Sequence, residues 1–180
     1  MIEPKVPGVR TGMGYIKIGP SETFTQGAFV KLSSSTWGSE APGTPGKAYN
    51  GALCYVPATD SDDINTPVYP IKKLIYKPEN SETDLDTVSS GDGIIIFMGG
   101  QYETDAYDTD VEWDSVDPGT LLYLNSDSVL TTGQASDTTP ARARFLKVAS
   151  SYNSKYASRE VIWYELINQE IAVTSGNLGF

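Results

Sequence analysis

Histidine is absent from this chain of 180 residues, and cysteine occurs once. Without histidine there is no Ser-His-Asp or Cys-His relay and no imidazole metal ligand. The side chain that most often serves as base near neutral pH is missing too. A lone cysteine forms no intrachain disulfide, which excludes a disulfide-stapled scaffold. Cys54 lies in the apolar run Ala52-Leu53-Cys54-Tyr55-Val56 and reads as a buried structural thiol. Long apolar runs are also missing, and none approaches the roughly 18–20 residues of a membrane span. The opening "MIEPKVPGVRTGMG" has no apolar leader core, so a product made in a cytoplasm is expected. Helical periodicity is scarce, and only 81–90 and 149–158 suit a short helical turn. Basic residues vanish between Pro78 and Ala141, where 14 of the 23 acids lie.

The charge follows from that imbalance. With 13 basic residues the net charge is −10, which argues against nucleic acid as a partner, because no cationic excess is there to displace counterions. The acidic stretch reads as a solvated, solubilising face or, more sharply, as an outward surface opposite a less acidic docking surface.

What is present is strand and punctuation. Hydrophobic residues make up 39%, and 17 Gly with 11 Pro interrupt them often, as an all-β chain requires. Residues 1–20 hold Pro4, Pro7, Gly8, Gly12, Gly14, Gly19 and Pro20. They read as an extended arm dotted with Ile2, Val6, Val9, Tyr15, Ile16 and Ile18, which orders by packing on a partner or on its own domain. "SETFTQGAFVKL" (21–32) ends in a strand, and 33–47 reads as a Gly/Pro/Ser loop. Strands are expected at 50–58, at 66–78 with a break at Pro70, and at 94–98, stopped by Gly99-Gly100. Between the second and third of these, 79–93 reads as a polar loop. "PGTLLYLNSDSVLTT" (118–132) reads as a hairpin around Asn125-Ser126-Asp127-Ser128. Further strands are expected within 140–151 and 159–167, followed by a loose tail at 168–180. The fold class is mainly β.

The chemistry-bearing motifs are few. G-x-S-x-G, G-x-x-x-x-G-K-[ST] and G-x-G-x-x-G do not occur. "DAYDTDVEWDSVD" (105–117) resembles a calcium loop only in part. Counted from Asp108, its sixth position is Trp113 where glycine is needed, and its twelfth is Gly119 where a bidentate glutamate is needed. Its alternation of Asp108, Asp110, Glu112 and Asp114 suits a strand with one charged face. No catalytic residue, metal site or cofactor is expected. Trp37, on the 33–47 loop, is a candidate interface anchor or a cap on the barrel. Arg142 and Arg144 alternate in "ARARF" and are expected to share a sheet face. There they would pair with the acidic segment or meet a partner subunit.

The order of pieces resembles a known family. An arm precedes "GAFVKL", "GALCYV", "GDGIIIFMGGQYETD", "DPGTLLYLNSDSVLTT", "ARARFLKVAS" and "REVIWYEL". Over roughly residues 20–167 this is similar to the tailed-bacteriophage head decoration (capsid cement) proteins, the family of the phage lambda decoration protein. The resemblance implies a small barrel-like (β-tulip type) domain at 21–167, with an N-terminal capsid-binding arm at 1–20 and a tail at 168–180. It also implies a homotrimer on the outer surface of a virion, clamping neighbouring major capsid protein subunits. Neither nucleic acid nor membrane would be a partner. Ile2, Pro4, Val6, Val9, Tyr15 and Ile16 would carry the arm contact. The competing expectations are another virion component (a head fibre, tail protein or glycan-binding domain using Trp37 or Trp113), an enzyme, or a cellular β domain.

Overall fold

The computed structural model of the chain describes residues 2–4, 11–19, 23–36, 53–74, 87–150 and 160–167. Regular structure there is strand throughout, apart from one 3-10 turn at Trp113–Ser115. In chain order the strands are β1 (Ile2–Pro4), β2 (Thr11–Ile16), β3 (Thr23–Thr25), β4 (Phe29–Thr36), β5 (Leu53–Pro57), β6 (Val68–Lys73) and β7 (Thr87–Ser89). They continue as β8 (Gly93–Phe97), β9 (Gln101–Thr104), β10 (Leu121–Leu124), β11 (Leu130–Thr131), β12 (Ala143–Ser150) and β13 (Glu160–Leu166). The mainly β, barrel-like class expected from the sequence is what the chain adopts.

Five strands close a barrel in the order β2-β5-β4-β6-β8, and six form a sheet in the order β1-β9-β13-β12-β10-β11. All pairings are antiparallel except β2 with β5. The pattern of β8 explains how the two layers join. Ile94 and Ile96 point into the barrel, where they meet Ile16, Val30, Tyr55 and Ile71. Ile95 and Phe97 point outward, onto a second core with Tyr102, Phe145, Ile162 and Tyr164 of the sheet. A strand buried on both faces must be apolar at every position, which is why "IIIF" shows no alternation. The small ribbon of β3 and β7 adds Phe24 and Val88, Cα partners of each other, to the barrel interior.

The 118–132 hairpin forms as its turn residues require. Asn125 Oδ1 accepts the N–H groups of Asp127 (3.0 Å) and Val129 (3.2 Å), and Ser128 takes a left-handed φ of 66°. Just before β10, Gly119 has φ 92° and its N–H donates to the Phe145 carbonyl at 2.8 Å, so the Asp-Pro-Gly turn stitches the strand's start to β12.

Five expectations need correction. Residues 11–16 are not arm but β2, a barrel strand flanked by β8 and β5. Its glycines mark a close approach and not a loop. A Cβ on Gly12 would lie 2.8 Å from Met98 Cε and 3.0 Å from Ile96 Cδ1. Strand β4 runs on to Thr36, into the expected 33–47 loop. Pro70 does not break β6. The pairing with β4 covers Val68–Pro70 and that with β8 begins at Ile71, so the missing proline N–H removes no bond to β8. The acidic segment is no charged strand. After Thr104 the chain loops through the 3-10 turn, driven by burial of Trp113 at 3% exposure. Of the two expected helical turns, 87–89 is strand, as are 149–150. Residues 81–86, 151–158 and the tail lie outside the described residues.

Candidate functional site

The part of the expected arm that forms regular structure outside the barrel is β1. It adds to the free side of β9 in antiparallel register, with Ile2 opposite Thr104, Glu3 opposite Glu103 and Pro4 opposite Tyr102. On its other side β9 pairs with β13. Among the described residues β1 has a single strand neighbour and forms one edge of the six-stranded sheet. It is three residues long, one of them a proline with no N–H to give. β9 is better anchored. Tyr102 is fully buried, its ring 5.2 Å from Phe97 and 5.9 Å from Tyr164, and its hydroxyl donates to the Gly99 carbonyl. The site is thus a firm strand edge covered by a short, weakly held strand.

The remaining candidate residues separate. Ile16 has no exposure and fills the barrel interior, so it cannot meet a partner. Tyr15 is half-buried in β2, opposite Cys54 and Gly93. Val6, Val9 and Trp37 lie outside the described residues.

Arg142 and Arg144 do not act together. Arg144 is exposed on β12, opposite Leu121 and Glu165. Arg142 precedes β12 and is buried at 2% exposure. Its partners are backbone carbonyls of the β5–β6 loop and not the 105–117 acids. Nη1 donates to Thr66 O at 3.1 Å, and Nη2 donates to Asp62 O at 2.9 Å and Asp63 O at 2.8 Å. Burial lowers its pKa from the ordinary arginine value, and the nearby charges of Asp62 and Asp63 oppose that shift. The Asp62 carboxylate pairs with Lys31 and caps the Thr59 N–H at 2.8 Å. Sequence reading passed over this loop. Its density of Asp, Asn, Ser and Thr was a signal for side-chain-to-backbone turns. Arg142 is some 80 positions away and left no local trace.

Trp113 is no glycan platform. Its ring packs 5.6 Å from Tyr107 and 5.7 Å from Phe145, and Nε1 donates to the Asp108 carbonyl at 2.8 Å. Around it Asp110, Glu112, Asp114 and Asp117 are exposed, so the acidic segment is a solvated loop face. Cys54 is fully buried as expected, and burial pushes its thiol pKa up, away from reactivity. Among the described residues no group of three or more acids or cysteines is set to hold a metal ion. No helix among them is long and apolar enough to cross a membrane. Comparison of the chain with protein-family models, curated proteins and solved structures found no match.

Proposed function

We propose that the chain is a structural virion protein, a decoration protein that binds the outside of a phage head and stabilises it. The observation that carries this reading is the weakly held N-terminal strand on the edge of a firmly packed β domain. A short strand with one neighbour can leave its sheet and add to a sheet of another protein, where main-chain hydrogen bonds supply affinity. The order of strand motifs from "GAFVKL" to "REVIWYEL" supports the same reading, as does the exposed acidic face at 105–117. The working segment is then residues 2–10, with Ile2, Pro4, Val6 and Val9 as its contacts. Tyr15 and Ile16 belong to the barrel. Three such segments on a homotrimer would act together on neighbouring major capsid protein subunits. Individually weak contacts then give a long-lived complex.

The test is co-sedimentation with expanded heads that lack the protein. The intact chain should pellet with the heads, and a chain without residues 2–10 should stay folded in the supernatant. Equal binding by both, or by neither, would overturn the assignment.

A further inference from the structure

Lys31 of β4 and Asp62 of the β5–β6 loop form an ion pair. We propose that the two side chains condense into an intramolecular amide, joining Lys31 Nζ to Asp62 Cγ with loss of one water. The bond staples the loop to the barrel wall. It stands whether or not the chain binds a phage head.

The two reacting groups are held from opposite sides. Lys31 is on a barrel strand, and its Cα partners across both neighbouring strands are valines, Val56 and Val68. Asp62 is on a braced loop. Arg142 Nη2 donates to the main-chain carbonyls of Asp62 at 2.9 Å and Asp63 at 2.8 Å, and the Asp62 N–H donates to Thr59 O at 3.2 Å. Groups fixed in contact react with effective molarities far above any solution concentration, which favours condensation even in water. The carboxylate is also largely dry. The Asp62 side chain is 9% exposed and that of Lys31 29%. Burial penalises two opposite charges, and passing one proton from ammonium to carboxylate leaves a neutral amine beside a neutral acid.

The carboxylate oxygens divide the remaining work. Oδ1 takes the lysine, while Oδ2 accepts the Thr59 N–H at 2.8 Å. In the pair of Lys73 with Asp92, by contrast, the ammonium and the Ser89 N–H reach the same oxygen, Oδ2, at 3.5 and 2.9 Å. At Asp62 the steps then balance within the pair. A proton moves from the Lys31 ammonium to Oδ1, and the amine lone pair attacks Cγ. The negative charge that develops falls on Oδ2, where the Thr59 N–H donates. Oδ1 leaves as water, carrying that proton and a second one from the nitrogen, and the C=O bond reforms on Oδ2. No co-reactant is needed. The product closes residues 31–62 into a loop and restricts the unfolded chain as a disulfide does.

The test is the intact mass of the full chain, denatured after several days folded at physiological temperature. It should read about 18 Da below the sequence mass, the weight of one water. Tandem spectra should place the loss in a branched peptide joining Lys31 to Asp62. Lys31→Arg keeps a cation beside the carboxylate but has no amine to acylate. It should show the full mass, run behind the stapled chain on a denaturing gel and melt several degrees lower. A full mass in the intact chain overturns the proposal, and that reading needs no variant to fold. A loss of one water that Lys31→Arg retains also overturns it. Such a loss is a succinimide, for which Asp92 before Gly93 is a natural position. A branched peptide through any other lysine overturns it as well.

Discussion

Arg142 and Tyr164 are two of the largest fully buried side chains of the core. The Arg142 guanidinium reaches from the sheet layer to three carbonyls of a barrel loop, and so it ties the layers together. Its planar fork matches several fixed acceptors, which a lysine ammonium does not. Arg142→Lys should destabilise the fold by about 2–4 kcal/mol, since buried carbonyls lose their donors. A lower urea midpoint with an unchanged slope is the expected reading. Tyr164 is the opposite case. It is fully buried between Tyr102 and Phe29, and its hydroxyl has no hydrogen-bond partner among the described residues. An unsatisfied buried hydroxyl costs free energy, so Tyr164→Phe should leave stability equal or raise it by about 1 kcal/mol. A clear loss of stability in thermal unfolding would show that the hydroxyl is bound after all.

At the scale of elements, the turn before β10 and the barrel strand β2 give the clearest tests. Gly119 has a left-handed φ and open space where a Cβ would stand. Gly119→Ala should therefore cost about 1–2 kcal/mol from backbone conformation alone, and Gly119→Asn should cost less. Equal losses in the two variants would point to a clash instead. Removing residues 2–19 should unfold the domain, because it takes β2 from between β8 and β5, whereas removing 2–10 should not. Circular dichroism of the two truncations separates these outcomes. The same elements show how far the sequence could be read. The hairpin at 118–132 was legible because Pro118-Gly119 and Asn125–Ser128 write their turn geometry in residue types. β8 was legible because a strand buried on both faces is apolar throughout. β2 was not, because Gly12 is shaped by Ile96 and Met98, which lie more than 80 positions away in the chain. The acidic loop was misread as a strand because Trp113 pulls inward against Tyr107 and Phe145, a long-range contact with no local period. The docking edge was half legible. The Pro-rich start announced a segment apart from the barrel, but its partner β9 follows only from the topology.

For the whole molecule, the buried phenols set an alkaline limit. Burial pushes Tyr102 up to about 12 and Tyr164 well above the ordinary value of 10.0, while unfolded tyrosines ionise near 10. The folded chain keeps protons that the unfolded chain has lost. The linked stability is complete below about pH 10 and declines as pH rises through the folded values. Urea midpoints should hold steady up to about pH 10 and fall beyond it, and Tyr164→Phe should flatten that fall. On the proposed function, the chain in its working state joins a larger body. Protein that binds only the assembled head adds its binding free energy to the stability of the lattice. The most direct measurement is the temperature at which DNA-filled heads release their genome, with and without saturating protein. The account predicts a rise of several degrees with the intact chain and none with a chain lacking residues 2–10. An unchanged release temperature at full occupancy of the heads would contradict it.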